Sequence, residues 1–229
     1  MTRRIRLPGW QVFHGWMAFD RLSENKGLTR AFTIAYRLTD EPTDPWTARF
    51  NAFKEQERAA LRSAAALMRD AVPVLVRALE FKAETTVFVP ALRSGETVAE
   101  PVGVLWRLTK YAATCAGVGF TGDSITKKPH ASLHSQPDVA SRRTVLGVAE
   151  FKSKQIQADT VMIFDDLITS GATMSHIAGA ILKRNPKARV FAVALGKTER
   201  REYQKSMHGV EISNAHVPHQ WERSWRNAT

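Results

Sequence analysis

The sequence predicts an α/β domain built on a doubly wound, mainly parallel sheet, and three observations point there. Apolar runs at 85–90, 161–164 and 188–195 have the length and β-branched content of strands buried on both faces. The first two are each followed by a loop and then a stretch of helical periodicity, the alternation that builds parallel sheets. At 229 residues and 44% hydrophobic composition, the chain can bury one full core, so a single domain with attachments is expected.

Residues 1–50 open basic (Arg3, Arg4, Arg6) and then aromatic, with Trp10, Phe13, Trp16 and Phe19 recurring by three. That spacing reads as the buried stripe of a helix or cap on the core; the alternative is a nucleic-acid surface of interleaved charge and aromatic rings. From 47 to 81 the pattern is helical, with Phe50, Phe53, Leu61, Ala64, Leu67 and Met68 on one face. Pro73 is expected to break this run and to start a second helix.

The strand at 85–90 leads into Arg93, Ser94 and Gly95, either a small anion-binding turn or an ordinary polar one. Residues 101–116 read as a crossover helix with Val104, Leu105, Leu108 and Ala112 inward. The polar stretch 117–154 carries Lys127, Lys128, Arg142 and Arg143, and its length without strong periodicity suggests a functional flap or loop. Residues 197–229 are polar, with Tyr203, Trp221 and Trp225 available either for packing or for stacking on a base.

A formal net charge of +11 and a pI near 10.1 favour an anionic partner, a phosphorylated small molecule or a nucleic acid. The single cysteine, Cys115, excludes an internal disulfide and a zinc site built from cysteine clusters. No apolar run reaches the ~18 residues that cross a bilayer, and the first residues lack the apolar core of a signal peptide. A cytoplasmic protein without membrane contact is therefore expected.

Chemistry concentrates in 161–174, VMIFDDLITSGATM. Four apolar residues run into Asp165 and Asp166, then two apolar residues, then Thr169, Ser170, Gly171, Ala172 and Thr173. Met174, Ile177, Ala178 and Ile181 follow at helical spacing, and Pro186 forbids continuation. A small hydroxyl and glycine loop at a helix N-terminus offers unpaired N–H groups to a phosphate. Two carboxylates beside it need sugar hydroxyls or a metal to face, which a phosphorylated sugar supplies. The bland alternative is a capped turn after a buried strand.

This run resembles the phosphoribosyl-pyrophosphate (PRPP) signature of type I phosphoribosyltransferases. The stretch 127–133, Ser141 to Arg143 and 146–151 resembles in part the ComF-like subgroup, although that subgroup's paired zinc cysteines are missing. The resemblance implies a phosphoribosyltransferase fold with a flexible flap and a small hood from terminal segments. It implies transfer of ribose 5-phosphate from PRPP to a nitrogen acceptor with release of pyrophosphate. Asp165 and Asp166 would be the catalytic pair on the ribose hydroxyls, touching Mg²⁺ only indirectly through ribose and pyrophosphate oxygens. Residues Thr169, Ser170, Gly171, Ala172 and Thr173 would cradle the 5-phosphate, Arg93, Ser94 and Gly95 the pyrophosphate, and Lys127, Lys128, Arg142 and Arg143 would belong to the flap. In the hypoxanthine and guanine branch an Asp stands three residues beyond the pair; here it is Thr169, which leaves the acceptor open.

The expected division is 1–84 as a helical or hood segment, 85–198 as the core including flap 117–154, and 199–229 as a C-terminal hood or tail. Two other classes stay open: a PRPP- or nucleotide-sensing regulator without turnover, and a basic nucleic-acid-associated protein, such as a defence-system effector, on the same fold. A homodimer is left open as well.

Overall fold

The computed structural model describes residues 10–20, 22, 26–131, 139–202 and 213–226. Its first element is a hairpin, not the helix or cap expected from aromatics spaced by three. Strands β1 (Trp10–Phe13) and β2 (Trp16–Phe19) pair antiparallel across a two-residue turn at His14 and Gly15, both at positive φ (50° and 87°). Such turns match the twist of the strands they join. The turn sets Phe13 opposite Trp16 and Trp10 opposite Phe19, so the period of three came from register across a hairpin.

The second correction is a strand in the supposedly helical segment 1–84. β3 (Arg30–Leu38) is buried along most of its length; it pairs antiparallel with β2 and parallel with β9, and Ala31 to Ala35, apolar except for Thr33, is buried on both faces as an internal strand requires. Two helices then follow, broken elsewhere than expected. α1 (Pro45–Lys54) is capped by Asp44, whose carboxylate accepts from the Thr47 amide at 2.8 Å, and α2 spans Arg58–Ala78. The break falls at residues 55–57, where Gln56 adopts φ 60°, and Pro73 lies inside α2. An interior proline costs roughly 3 kcal/mol; here Ala71, Val72, Leu75 and Val76 are buried around it, so packing outweighs the lost hydrogen bond.

The remaining elements are β4 (Thr86–Pro90), α3 (Val104–Ala116), β5 (Gly119–Phe120), β6 (Ile125–Thr126), α4 (Val139–Val148), β7 (Lys152–Ser153), β8 (Thr160–Ile168), α5 (Ala172–Arg184), β9 (Arg189–Glu199) and α6 (His219–Arg226). Seven strands form one mixed sheet in the order β1-β2-β3-β9-β8-β4-β5, parallel from β3 through β5; β6 and β7 form a separate antiparallel pair. The chain is thus α/β with a mainly parallel sheet and six α-helices among the described residues.

Topology places the site. From β4 the chain crosses through α3 to β5 at one edge, whereas from β8 it crosses through α5 to β9 in the opposite direction. Right-handed crossovers in opposite directions put α3 and α5 on opposite faces of the sheet. α2 packs on α3, and α4 packs on α5. The connections part between the carboxyl ends of β4 and β8, the switch point where open α/β sheets bind ligands.

The C-terminal segment completes the N-terminal side. Asn214 pairs with both backbone groups of Tyr36, accepting from its N–H at 2.7 Å and donating to its carbonyl at 3.2 Å, and so substitutes for a neighbouring strand. α6 packs on α2, where the Ser224 hydroxyl donates to the Asp70 carboxylate, while Trp221 meets Trp16 of β2 edge-on and Trp225 meets Trp46 and Phe50 of α1.

Candidate functional site

The carboxylate pair sits near the end of β8, yet strand pairing continues past it. Asp165 is registered with Ala194, and Leu167 and Ile168 with Gly196 and Lys197 of β9. The loop proper is residues 169–171, and Ala172 and Thr173, expected in the loop, form the first turn of α5. Gly171 caps that helix at φ 87°, a conformation only glycine takes without strain. The Ser170 hydroxyl accepts from the Ala172 amide at 3.3 Å, and the first helical bond runs from the Ser175 amide to the Gly171 carbonyl at 2.9 Å. The amides of Thr173 and Met174 precede that ladder, at the positive end of the helix dipole. The first turn holds no acidic side chain that would compete with an anion.

The two carboxylates are held by the backbone that carries them. The Asp166 amide donates to Asp165 Oδ1 at 2.8 Å, and the Leu167 amide donates to Asp166 Oδ1 at 2.7 Å. Lys54, the last residue of α1, closes the arrangement with its Nζ 2.7 Å from Asp166 Oδ2. Burial pushes the Asp165 carboxyl well above the usual carboxylate range, and the neighbouring Asp166 pushes the same way, with Lys54 opposing both. Both effects favour the neutral form of the Asp165 carboxyl.

Beside the pair, a cleft of about 350 Å³ opens among Arg37, Lys54, Leu167, Thr169 and Thr198. Its residues come from the carboxyl ends of β3, β8 and β9 and from the end of α1. Arg37 is anchored by its Nε, which donates to Asn51 Oδ1 of α1 at 2.9 Å. Gly196 lies below; a Cβ there would stand 2.7 Å from the Phe50 ring and 2.9 Å from Leu167, so glycine lets α1 close onto the sheet. Next in β9, Lys197 is almost fully buried, donates to the Thr198 carbonyl at 3.1 Å and pairs with Glu199 at 3.2 Å. Burial lowers its ammonium pKa.

Arg93, Ser94 and Gly95 lie in the loop leaving β4, which the Ala91 amide ties to β8 through the Phe164 carbonyl at 2.8 Å. The two loops therefore flank the switch point together. Arg93 and Gly95 are exposed, and the Arg93 amide donates to Glu96 Oε2 at 2.7 Å. Lys127, expected on a mobile flap, is instead 5% exposed and donates to the carbonyls of Ser94 and Glu96, both at 2.8 Å. It is a strut of the β4 loop, fixed by its amide bond to the Thr97 carbonyl at 2.9 Å. Lys128 is exposed and pairs with Glu150. Arg142 and Arg143 fall within α4, while their side chains lie outside the described residues. The stretch 117–154 thus contains β5, β6, α4 and β7, with 132–138 outside the described residues.

Trp221 and Trp225 are 1% and 5% exposed, so neither offers a face for base stacking. Arg201 pairs with Glu41, and Arg226 lies 3.8 Å from Glu222; Arg3, Arg4, Arg6 and Tyr203 lie outside the described residues. Sequence reasoning missed Arg37, Lys54 and Lys197. Arg37 and Lys197 share one signal, a cation directly after an apolar strand run, at the sheet end where ligands bind. Lys54 carries no such signal, because only the docking of α1 brings it to Asp166. No protein-family model and no curated protein matches the chain.

Proposed function

We propose that the protein binds PRPP and transfers its ribose 5-phosphate to a nitrogen acceptor, on a sheet of type I phosphoribosyltransferase kind. The observation that carries this reading is the Asp165–Asp166 pair immediately before a glycine-capped helix N-terminus, at the switch point of a parallel sheet. The amides of α5 and the hydroxyls of Thr169, Ser170 and Thr173 would receive the 5-phosphate. Asp165 and Asp166 would accept from the ribose hydroxyls, and the exposed loop at Arg93 would meet the pyrophosphate.

In the transfer the C1–O bond to pyrophosphate breaks as the bond from the acceptor nitrogen forms. Pyrophosphate keeps the electron pair, and the acceptor's proton passes to solvent. Such chemistry needs positioning and fixed charge more than a nucleophile. Among the described residues no group of three or more His, Cys, Asp or Glu side chains is arranged to hold a metal ion. Asp165 and Asp166 would face Mg²⁺ carried on the pyrophosphate, and that ion would supply charge neutralisation. The ion pair of Lys54 with Asp166 favours a second reading, a PRPP-sensing protein without turnover, since a lysine already occupies one carboxylate.

Calorimetric titration with PRPP and Mg²⁺ tests the reading. Wild type is expected to bind, and the Asp165→Asn, Asp166→Asn double variant to bind at least about tenfold more weakly, a loss of ~1.4 kcal/mol or more. Equal affinities in two folded proteins overturn it. Pyrophosphate release with a panel of amines and ring nitrogens separates enzyme from sensor.

A further inference from the structure

We infer that the cleft beside Asp166 is an acceptor subsite for a small, single-ring compound bearing a carboxylate. The inference rests on the transfer reading above for the word acceptor, whereas the carboxylate specificity rests on the cleft itself. At about 350 Å³ the cleft is at the small end of ligand pockets, which run from roughly 300 to 1,000 Å³. It has room for one ring and its substituents.

Its lining is chemically divided. Leu167 supplies an apolar wall, Thr169 and Thr198 supply hydroxyls, and Arg37 and Lys54 supply two cations. The cations are not equivalent. Lys54 is engaged by Asp166 at 2.7 Å, so its charge is largely matched inside the site. Arg37 uses its Nε on the neutral Asn51 amide at 2.9 Å, a contact that orients the guanidinium without neutralising it. An oriented guanidinium at a cleft wall matches a planar carboxylate through two parallel N–H donors, which a lysine cannot offer. Because Lys54 is already paired with Asp166 while Arg37 contacts the neutral Asn51 amide, a carboxylate ligand is directed to the Arg37 side with its ring along Leu167.

Thr169 joins this cleft to the phosphate loop, being both a cleft residue and the first residue of 169–171. A ring held against Leu167 and Thr198 therefore lies next to the place proposed for the sugar, as an acceptor must.

The test is an NMR-detected titration of the full chain with benzoate and with benzamide, which share size and ring but differ in charge. Benzoate is expected to bind about tenfold or more tightly than benzamide, as charge-assisted bonds to Arg37 require. Arg37→Lys should remove most of that preference while leaving PRPP affinity unchanged. Thr198→Leu, which fills the cleft and leaves Arg37 in place, should abolish binding of both rings and also spare PRPP, so the outcome does not depend on Arg37→Lys folding well. Equal binding of benzoate and benzamide overturns the inference, as does a preference that survives Arg37→Lys. Displacement of benzoate by inorganic pyrophosphate overturns it too, by making the cleft a phosphate site. If benzoate binds through Arg37 but PRPP does not bind at all, the carboxylate site stands and the transfer reading falls.

Discussion

The loops that leave β4 and β8 flank the same switch point, and they use their polar groups in opposite ways. After β4 the loop is long and turned on itself: Lys127 donates to the carbonyls of Ser94 and Glu96, the His130 amide donates to Ser94 at 2.9 Å, and Glu96 accepts from Arg93. After β8 the loop is three residues, opens directly into a helix through Gly171, and leaves amides ahead of the helical ladder. The first loop is stabilised by its own neighbours, whereas the second leads straight into the N-terminus of α5 beside the carboxylate pair. Composition alone made both look like anion sites. The difference lies in where the donors point, and that depends on a lysine from β6's end and on the entry of α5.

The largest effect is expected from the loop after β8. Gly171→Val forces a β-branched residue to φ 87°, costing about 1–2 kcal/mol of backbone strain. It also blocks the approach of a phosphate, so PRPP affinity should fall by about a hundredfold or more, the loss of roughly two charge-assisted hydrogen bonds. Urea unfolding and calorimetry on the same preparation separate the two effects; a variant that binds like wild type would place the phosphate elsewhere.

The self-satisfied loop predicts the reverse pattern. Lys127→Met strands two inward-facing carbonyls and should lower stability by about 1–3 kcal/mol, with little direct effect at the β8 loop. Burial depresses the Lys127 ammonium pKa, so the unfolded chain binds the proton more tightly than the native protein. The stability of wild type relative to Lys127→Met should therefore rise as pH rises through the window between that depressed value and the unfolded lysine value of about 10.4. Urea midpoints for both proteins across alkaline pH check the sign, and a gap that narrows would contradict the buried strut.

Asp165→Asn should sharpen the contrast between stability and function. The native Asp165 carboxyl has a raised pKa, so its contribution is present at low pH and lost as pH climbs from the unfolded value of about 3.9 through the raised native one. Above that window the variant should be the more stable protein by on the order of 1 kcal/mol, with the gain vanishing near pH 4, while PRPP binding weakens. Thermal melts at neutral and acid pH give the comparison.

Lys54→Met is expected to have the smallest stability effect, about 0–1 kcal/mol, because the lysine is partly exposed. Its signature is in titration. Lys54 holds the Asp165 carboxyl down, so its removal should raise the pH at which Asp165 ionises, read from its carboxyl ¹³C shift.

Much of this architecture was legible in the residues. Apolar runs identified β4, β8 and the start of β9, and the helical spacing of Met174, Ile177, Ala178 and Ile181 marked the buried face of α5. β3 was passed over because its surroundings are basic and aromatic, although Ala31 to Tyr36 is as apolar as β4. The hairpin at Trp10 to Phe19 was misread because one linear spacing serves a helix face and a tight turn alike. Pro73 marks a helix start by local rule, yet α2 runs through it because packing on both sides outweighs one missing bond.

The sequence by itself determined the carboxylate pair, the glycine at the helix start and the parallel sheet that brings them to one edge, since these depend on residues adjacent in the chain and on strand–helix order. Only the tertiary structure decided that Lys54 meets Asp166, that Arg37 and Thr198 wall a cleft beside it, and that Lys127 supports a loop instead of covering a ligand. Those contacts join segments far apart in sequence, and their geometry is set by how α1 docks on the sheet and how the segment after β6 returns to the β4 loop. Local pattern carries no information about either docking.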